Sequence, residues 1–291
     1  MIEELKRFLL VAQVGNLTRT AEKIFITQSA LTQSIQRLEK NLNTKLFLQK
    51  GKQLQLTEDG KALVIIGEKM LQLWTNAHDP KIREIHIPTY SIGVFDNVAL
   101  RLGKFFRSNM HTKDYKLELT IDASGKLLYQ LQLGTLDAAV CIINKTYQPQ
   151  NHIELLHTYS EKLIPVSSKV FSESFEKIPF ILYNRGSNTR IQIDELFMKH
   201  ALQPTIYAES TSVTFMRELA LLGCGIAILP ENLVKQDLEQ GSLKLQKMPI
   251  QWKRDYALFT SMSSPLSNTH PFIHSLHKKL QNSLSISNKT T

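Results

Sequence analysis

Cysteine is scarce: the 291-residue chain has two, Cys141 and Cys224, far apart and at no metal-ligand spacing. Each reads as a small buried hydrophobe rather than a redox group, and Cys224 lies inside the apolar run LLGCGIAIL, where an inert thiol is expected. Long apolar runs are missing, none reaching the ~18 residues that span a bilayer. The opening MIEELKRFLLVAQ places acids first and interrupts its spaced apolar positions with Lys6 and Arg7, so it does not read as a signal peptide. No glycine-rich phosphate loop or nucleophile elbow occurs. GCGIAI lacks the third glycine of a dinucleotide fingerprint and precedes a strand rather than a helix. The histidines show no tight metal spacing, His274 and His277 at i, i+3 being weak evidence alone. These absences point away from an enzyme, a metal, a cofactor and a membrane protein, and toward a reducing cytoplasm. Acids are in deficit: 26 Asp and Glu against 35 Lys and Arg leave a net charge of +9, which suggests an acidic partner, nucleic acid or an anionic surface.

The length allows two domains or more, and a hydrophobic share of 42% allows well-formed cores. Leu5, Phe8, Leu9 and Ala12 follow i, i+3, i+4, i+7, predicting a helix over 2–14 that Gly15 ends. Thr18 is the expected N-cap of a second helix burying Leu17, Ala21 and Ile24. Phe25 and Ile26 make a turn, and Thr27 caps a third helix with the stripe Leu31, Ile35, Leu38 and Leu42. Gln53 to Leu56 alternate after Gly51, predicting a hairpin with Lys50 and Lys52 at a basic tip. Thr57 caps a fourth helix, with Glu58 and Asp59 complementing its dipole. Leu63, Ile66, Met70, Leu73 and Trp74 recur at close to 3.5 residues along it, the spacing of a seam against a second helix.

Beyond Lys81 strand and helix patterns alternate. EIHIPTY reads as a first strand, followed by a helix near 97–108, the strand YKLELTID, the helix SGKLLYQLQLG and the strand LDAAVCII. Further on come PFILYN, DELFMKHAL, TIYAE, VTFMRELALLG and GIAILP, with HPFIHSLHKKLQ as a last helix. Such alternation predicts an α/β domain with a largely parallel sheet.

The third helix shows Thr27, Gln28, Ser29, Thr32, Gln33 and Gln36 on its outer side, amides and hydroxyls where an ordinary surface helix carries mixed Lys and Glu. Two helices joined by a short turn, the second with that face, describe a helix-turn-helix. A helix entering the major groove needs uncharged donors and acceptors for base edges and a few cations for phosphates; acids would be repelled. Arg37 and Lys40 lie farther along for phosphate contact. A plain three-helix bundle with a polar surface fits the periodicity too, and the basic hairpin, placed as a wing, favours the nucleic-acid reading.

Residues 1–60 closely resemble the N-terminal domain of LysR-type transcriptional regulators, through FLLVAQVGNLTRTAEKIFITQSALTQSIQRLEKNLNTKLF followed by LTEDG. GTLDAAV, ILYNRGSNTR, AESTSV and LLGCGIAILPENLV resemble later landmarks of the same family. The resemblance implies a winged helix-turn-helix over 1–58, a linker helix over 59–80 that dimerises, and an α/β two-lobed effector domain over 81–291, periplasmic-binding-protein-like. Lobe I would use about 83–160 and 255–285, and lobe II about 161–254. It implies a homodimer or homotetramer on double-stranded promoter DNA, at a palindromic site, with a small-molecule effector between the lobes. Thr18, Arg19, Thr27, Gln28, Ser29, Thr32, Gln33, Gln36, Arg37, Lys50 and Lys52 are the candidate DNA contacts. The chain departs from the family pattern at Gln49, where Arg is usual, and at Gln33 and Gln36, near which Arg or Lys is frequent. Lys50 and Lys52 would take over the phosphate contact. The family's first effector strand usually ends in Gly, a place assigned here to Pro88.

Candidate effector contacts are Thr89 and Ser91 after the first strand, Ser124 at the start of SGKLL, Ser210, Thr211 and Ser212 before VTFMRELA, and more weakly Asn184 and Ser187. Each hydroxyl would equally serve as a helix cap. Arg185 and Arg190 would suit a carboxylate effector or ordinary salt bridges, and Asp137 reads as a structural turn residue. The competing reading from the α/β half alone is a cytoplasmic solute-binding module without specific DNA recognition, against which residues 1–60 weigh.

Overall fold

The computed structural model describes residues 1–50, 53–78, 87–109, 114–144, 152–171 and 177–285. The chain forms two compact units, Met1–Ile87 with Leu133–Thr135, and Pro88–Gln132 with Leu136–Thr291.

In the first unit α1 spans Ile2–Val14 and ends at Gly15, whose φ of 70° is the left-handed cap conformation that glycine adopts without strain. Helix α2 spans Leu17–Lys23. Its N-cap is Asn16, whose side chain accepts from the Arg19 N–H, and not the expected Thr18, which lies inside the first turn. Asn is the stronger cap, and the Thr18 hydroxyl is used elsewhere. Phe25 holds the turn in a left-handed conformation (φ 56°) with its ring 95% exposed. Helix α3 spans Gln28–Leu42; Thr27 caps it by accepting from Ala30 N–H. Leu31, Ile35 and Leu38 are buried against Leu5, Phe8, Val11, Ala21 and Leu46, each such burial contributing roughly 1.5–3 kcal/mol. Leu42 was expected to continue the stripe but is 43% exposed, because α3 ends there at left-handed Asn43.

Strands β1 (Phe47–Lys50) and β2 (Gln53–Leu56) pair antiparallel from Phe47↔Leu56 to Lys50↔Gln53. Helix α4 spans Glu58–His78, its first turn held by Thr57, which accepts from Gly60 N–H at 2.9 Å. Gly60 abuts the backbone carbonyl of Leu46, leaving no room for a Cβ, which explains the glycine in LTEDG. Leu63, Val64 and Leu71 pack on the helical core, while Met70, Leu73 and Trp74 remain exposed.

In the second unit the elements run β3 (Thr89–Val94), α5 (Asp96–Asn109), β4 (Lys116–Ile121), α6 (Ser124–Gln132), β5 (Ala138–Ile143), β6 (Ile153–Ser167) and β7 (Pro179–Tyr183). They continue as α7 (Asn188–Lys199), β8 (Thr205–Ser210), α8 (Val213–Leu221), β9 (Ile226–Pro230), α9 (Glu231–Glu239), β10 (Lys244–Leu245), β11 (Trp252–Ser261) and α10 (Pro271–Ser285). One sheet has the order β4-β3-β5-β11-β6-β9-β7-β8, with β10 added on β6. β3 is parallel to β4 and β5, and β7 is parallel to β8 and β9. The middle differs from the parallel expectation: β11 is antiparallel to β5 and β6, and β6 to β9 and β10. One core gathers around β7, β9, α7 and α8, and another around β3, β5, α5 and α10. β6 and β11 serve both. Leu163, Ile164 and Trp252 face the former; Tyr159, Tyr256 and Leu258 face the latter.

The first effector strand also starts later than EIHIPTY suggests. Residues 81–86 lie outside the described residues, and Ile87 and Pro88 precede the strand. Its glycine is Gly93, where a Cβ would meet Leu136 at 2.7 Å and Leu127 at 2.9 Å; Pro88 does not hold that place. Thr89 and Ser91, expected past the strand, are therefore inside it at its amino end.

Candidate nucleic-acid interface and effector cleft

Packing of Leu31, Ile35 and Leu38 inward turns the opposite side of α3 to solvent. Thr27, Gln28, Ser29, Gln33, Gln36 and Arg37 are exposed there, Thr32 is half-buried, and Thr18 and Arg19 are exposed on α2. The Thr18 hydroxyl donates to Gln28 Oε1 at 3.1 Å. With its carbonyl so held, the Gln28 amide presents its NH2 in a fixed orientation. Thr32 Oγ1 donates to the Gln28 carbonyl at 2.9 Å, and Thr27 and Ser29 share a hydroxyl–hydroxyl bond of 3.0 Å. The face thus carries oriented dipoles with Arg19 and Arg37 at its borders and no acid among the exposed residues named. Lys52 and the side chain of Lys50 lie outside the described residues.

The sequence did not single out Glu39, on the inner side of α3. This residue is 8% exposed, and its Oε1 accepts from Leu46 N–H (2.9 Å) and Phe47 N–H (3.4 Å), while Oε2 pairs with Lys45 at 2.6 Å. A buried carboxylate therefore fixes the point where the chain leaves the helices and enters the wing. Thr57 N–H closes the other strand's base on Leu46 O at 3.0 Å.

The effector candidates fall into three places. Asn184, Ser210, Thr211 and Ser212 come together at the carboxyl ends of β7 and β8. Asn184 N–H donates to Ser210 O (3.2 Å), Ser212 N–H to Ser210 Oγ (3.0 Å), and Ser212 caps α8 through Phe215 N–H. Ser124 is mostly buried in the other lobe, where its Oγ accepts from Ile142 N–H at 2.8 Å. Thr89 and Ser91 sit at the amino end of β3, away from the strand ends where open α/β sheets bind ligands. Ser91 there donates its N–H to Asp137 Oδ2 and its hydroxyl to Glu118. Ser187 caps α7. Arg190 is buried and bonded to Asp194, Glu209 and the Tyr183 carbonyl, and Arg185 also pairs with Glu209, so the chain's own carboxylates take both guanidinium groups.

Between the lobes lies a charged layer that the sequence reading missed. Arg254 of β11, 1% exposed, donates Nε to Glu161 Oε1 of β6 at 2.6 Å and Nη1 to Thr189 at 3.2 Å. Its guanidinium stacks on Phe95 and Tyr183, with centroid distances of 5.1 and 5.7 Å. Glu161 Oε2 accepts from Arg101 (2.9 Å) and Asn97 (3.2 Å) of α5. Burial, partly offset by Arg254, pushes the Tyr183 phenol up to about 12, so it stays neutral. Among the described residues further bonds join the lobes: Val213 N–H to Asp96 Oδ2 (3.3 Å), Asn188 Nδ2 to Ile142 O (3.1 Å) and Gln192 Nε2 to Ile143 O (3.1 Å). Lone charges within apolar strands were the available signal.

Cys141 is fully buried, and burial pushes its thiol well above the ordinary range. His277 stacks on His157 with ring centroids 3.7 Å apart and bonds the Tyr159 hydroxyl. Among the described residues no group of three or more His, Cys, Asp or Glu is placed to hold a metal ion, and no helix is long and apolar enough to cross a membrane.

Comparison with known proteins agrees with this layout. Residues 2–61 match the family model "Bacterial regulatory helix-turn-helix protein, lysR family", and residues 94–281 match "LysR substrate binding domain". The HTH-type transcriptional regulator YybE of Bacillus subtilis is 28% identical over 268 residues, covering 86% of this chain and 87% of that protein. The HTH-type transcriptional activator IlvY of Salmonella typhimurium is 26% identical over 254 residues, covering 82% and 85%. Among solved structures, ArgP from Mycobacterium tuberculosis matches with a TM-score of 0.65 at 18% identity over 97% of this chain and 96% of that one. Vibrio fischeri DarR, solved in complex with DNA, matches with a TM-score of 0.56 at 20% identity over 97% and 98%. The chain belongs to the lysR family of bacterial regulatory helix-turn-helix proteins and is a DNA-binding transcriptional regulator with an effector-binding domain.

Proposed function

We propose that α3 enters the major groove and reads bases through Gln28, Ser29, Thr32, Gln33 and Gln36. Thr18, Arg19, Thr27, Arg37, Lys50 and Lys52 hold the phosphates. The observation that carries this reading is the Thr18–Gln28 bond of 3.1 Å on an exposed, acid-free face. It costs a surface side chain conformational freedom and leaves one amide presented outward, as recognition of an adenine edge requires. The chain works in the cytoplasm as a dimer or tetramer, an assembly supported by the exposed Met70, Leu73 and Trp74 along α4. Helix α4 links residues 1–58 to an effector domain beginning near 81. A small molecule at the carboxyl ends of β3 and β7 changes the relation of the lobes, and through it the DNA contacts, by binding one arrangement more tightly than the other.

Salt-titrated binding to a palindromic site tests the DNA half. Gln28→Ala is expected to lose ~1–3 kcal/mol at one base position and relax specificity there. Lys50→Ala should weaken all sequences alike and flatten the salt slope by about one unit. Identical behaviour of the two variants on every DNA would overturn the assignment of base-reading and phosphate-holding roles.

A further inference from the structure

In the charged layer between the lobes, Arg101 and Arg254 supply two positive charges and Glu161 one negative charge. The second carboxylate is Asp96, which leaves its own helix to accept from Val213 N–H at the start of α8. That N–H is one of the orphan donors of a helix N-terminus, where the dipole favours an anion. In the same layer two buried atoms, the donor Arg254 Nη2 and the acceptor Asn97 Oδ1, are among those without a hydrogen-bond partner. Asn97 follows Asp96 directly, and the Arg254 guanidinium covers the ring of Phe95, which precedes it. An unsatisfied buried polar group is costly, so a donor and an acceptor stand ready on the residues that flank or cover the segment carrying Asp96.

Resting on the proposed effector cleft, we infer that Asp96 is a resident carboxylate standing in the effector's place and latching the lobes, and that the effector is a small carboxylate carrying a hydroxyl or ammonium donor. The incoming carboxylate takes the Val213 N–H and replaces the single charge that Asp96 withdraws, while its donor and a remaining oxygen satisfy Asn97 Oδ1 and Arg254 Nη2.

The experiment measures binding of lactate, alanine, acetate and sulfate to the full-length protein by calorimetry, without DNA, for wild type, Asp96→Ala, Asp96→Asn and Asp96→Ala with Val213→Pro. Position 96 is the first residue of α5, where Ala is well tolerated, and Asn keeps the side-chain shape should Ala unfold the lobe. Proline suits position 213, the first of α8, and removes the N–H in question, while Val213→Ala controls for the loss of its buried side chain. Removing the resident competitor is expected to tighten lactate or alanine about tenfold, as loss of a charge-assisted hydrogen bond implies, with acetate weaker than at least one of them. Val213→Pro should cancel the gain. Unchanged or weaker binding in both Asp96 variants overturns the latch. Equal binding of acetate overturns the donor requirement, and equal binding of sulfate overturns the carboxylate class. A gain that survives Val213→Pro removes the α8 seat. Salt-titrated DNA binding of the wild type reports separately on the regulator reading, so failure of either is recognisable alone.

Discussion

Replacing Glu39 by Ala isolates what holds the wing to the helices. The carboxylate is buried and serves three donors of unequal worth. Leu46 N–H, beside a fully buried side chain, would lose its partner at a cost of about 1–3 kcal/mol. Phe47 N–H, at 3.4 Å, is at the limit of a hydrogen bond and adds little. Lys45 is 71% exposed, so its ion pair contributes roughly 0–1 kcal/mol after screening by water. Glu39→Ala should therefore destabilise the first unit by about 2–3 kcal/mol. Glu39→Gln keeps an acceptor for Leu46 N–H and should cost about half as much, and Lys45→Ala less than 1 kcal/mol. Urea unfolding gives the free energies, and hydrogen exchange at the Leu46 and Phe47 amides locates the loss. Should Lys45→Ala cost as much as Glu39→Ala, or the two Glu39 variants prove equal, the surface ion pair and not the buried amide contact would be the clamp.

Gly60→Ala tests the close approach of α4 to the wing. Alanine gains ~1 kcal/mol of helix propensity, yet its Cβ would collide with the Leu46 carbonyl, so urea unfolding should show a net loss of about 1–3 kcal/mol. The second unit should lose stability as pH falls below about 6.5. Burial, followed by repulsion from His157 and His274, lowers the His277 pKa, and burial lowers that of His270. Near and below the ordinary histidine value the unfolded chain then binds more protons than the folded one, so stability is full above that pH and declines on acidification. His277→Asn should flatten this slope in thermal melts between pH 5 and 7, and an unchanged slope would remove His277 as its source.

The DNA-binding half was legible because its signals are local. Gly15, Thr27 and Thr57 stop or start helices through bonds to residues within four positions, and the stripe Leu31–Ile35–Leu38 needs only the helical period. Where two local signals competed, as at Asn16 and Thr18, the choice turned on a tertiary partner, Gln28, ten residues away. Glu39 shows the same limit. On a helix surface a Glu is ordinary, and its burial follows only from the return of Leu46 and Phe47, seven and eight residues later.

The effector half hid its centre for a related reason. Strands that carry both lobes, β6 and β11, alternate unevenly: β11 starts with buried Trp252, then Lys253, then buried Arg254. A period-2 reading places Arg254 on the inward face, but a guanidinium there looks like evidence against a strand until Glu161 is seen in register opposite it. Breaking one partner of such a pair is costly, commonly 3–5 kcal/mol, whereas the intact pair adds little stability. Together with the bonds that join the lobes, one of them made by a carboxylate seated on the α8 N-terminus, it fits an arrangement held by polar contacts. Polar contacts of this kind can be exchanged one for one with those of a ligand, and a hydrophobic seam at the same place could not be opened by a small polar molecule.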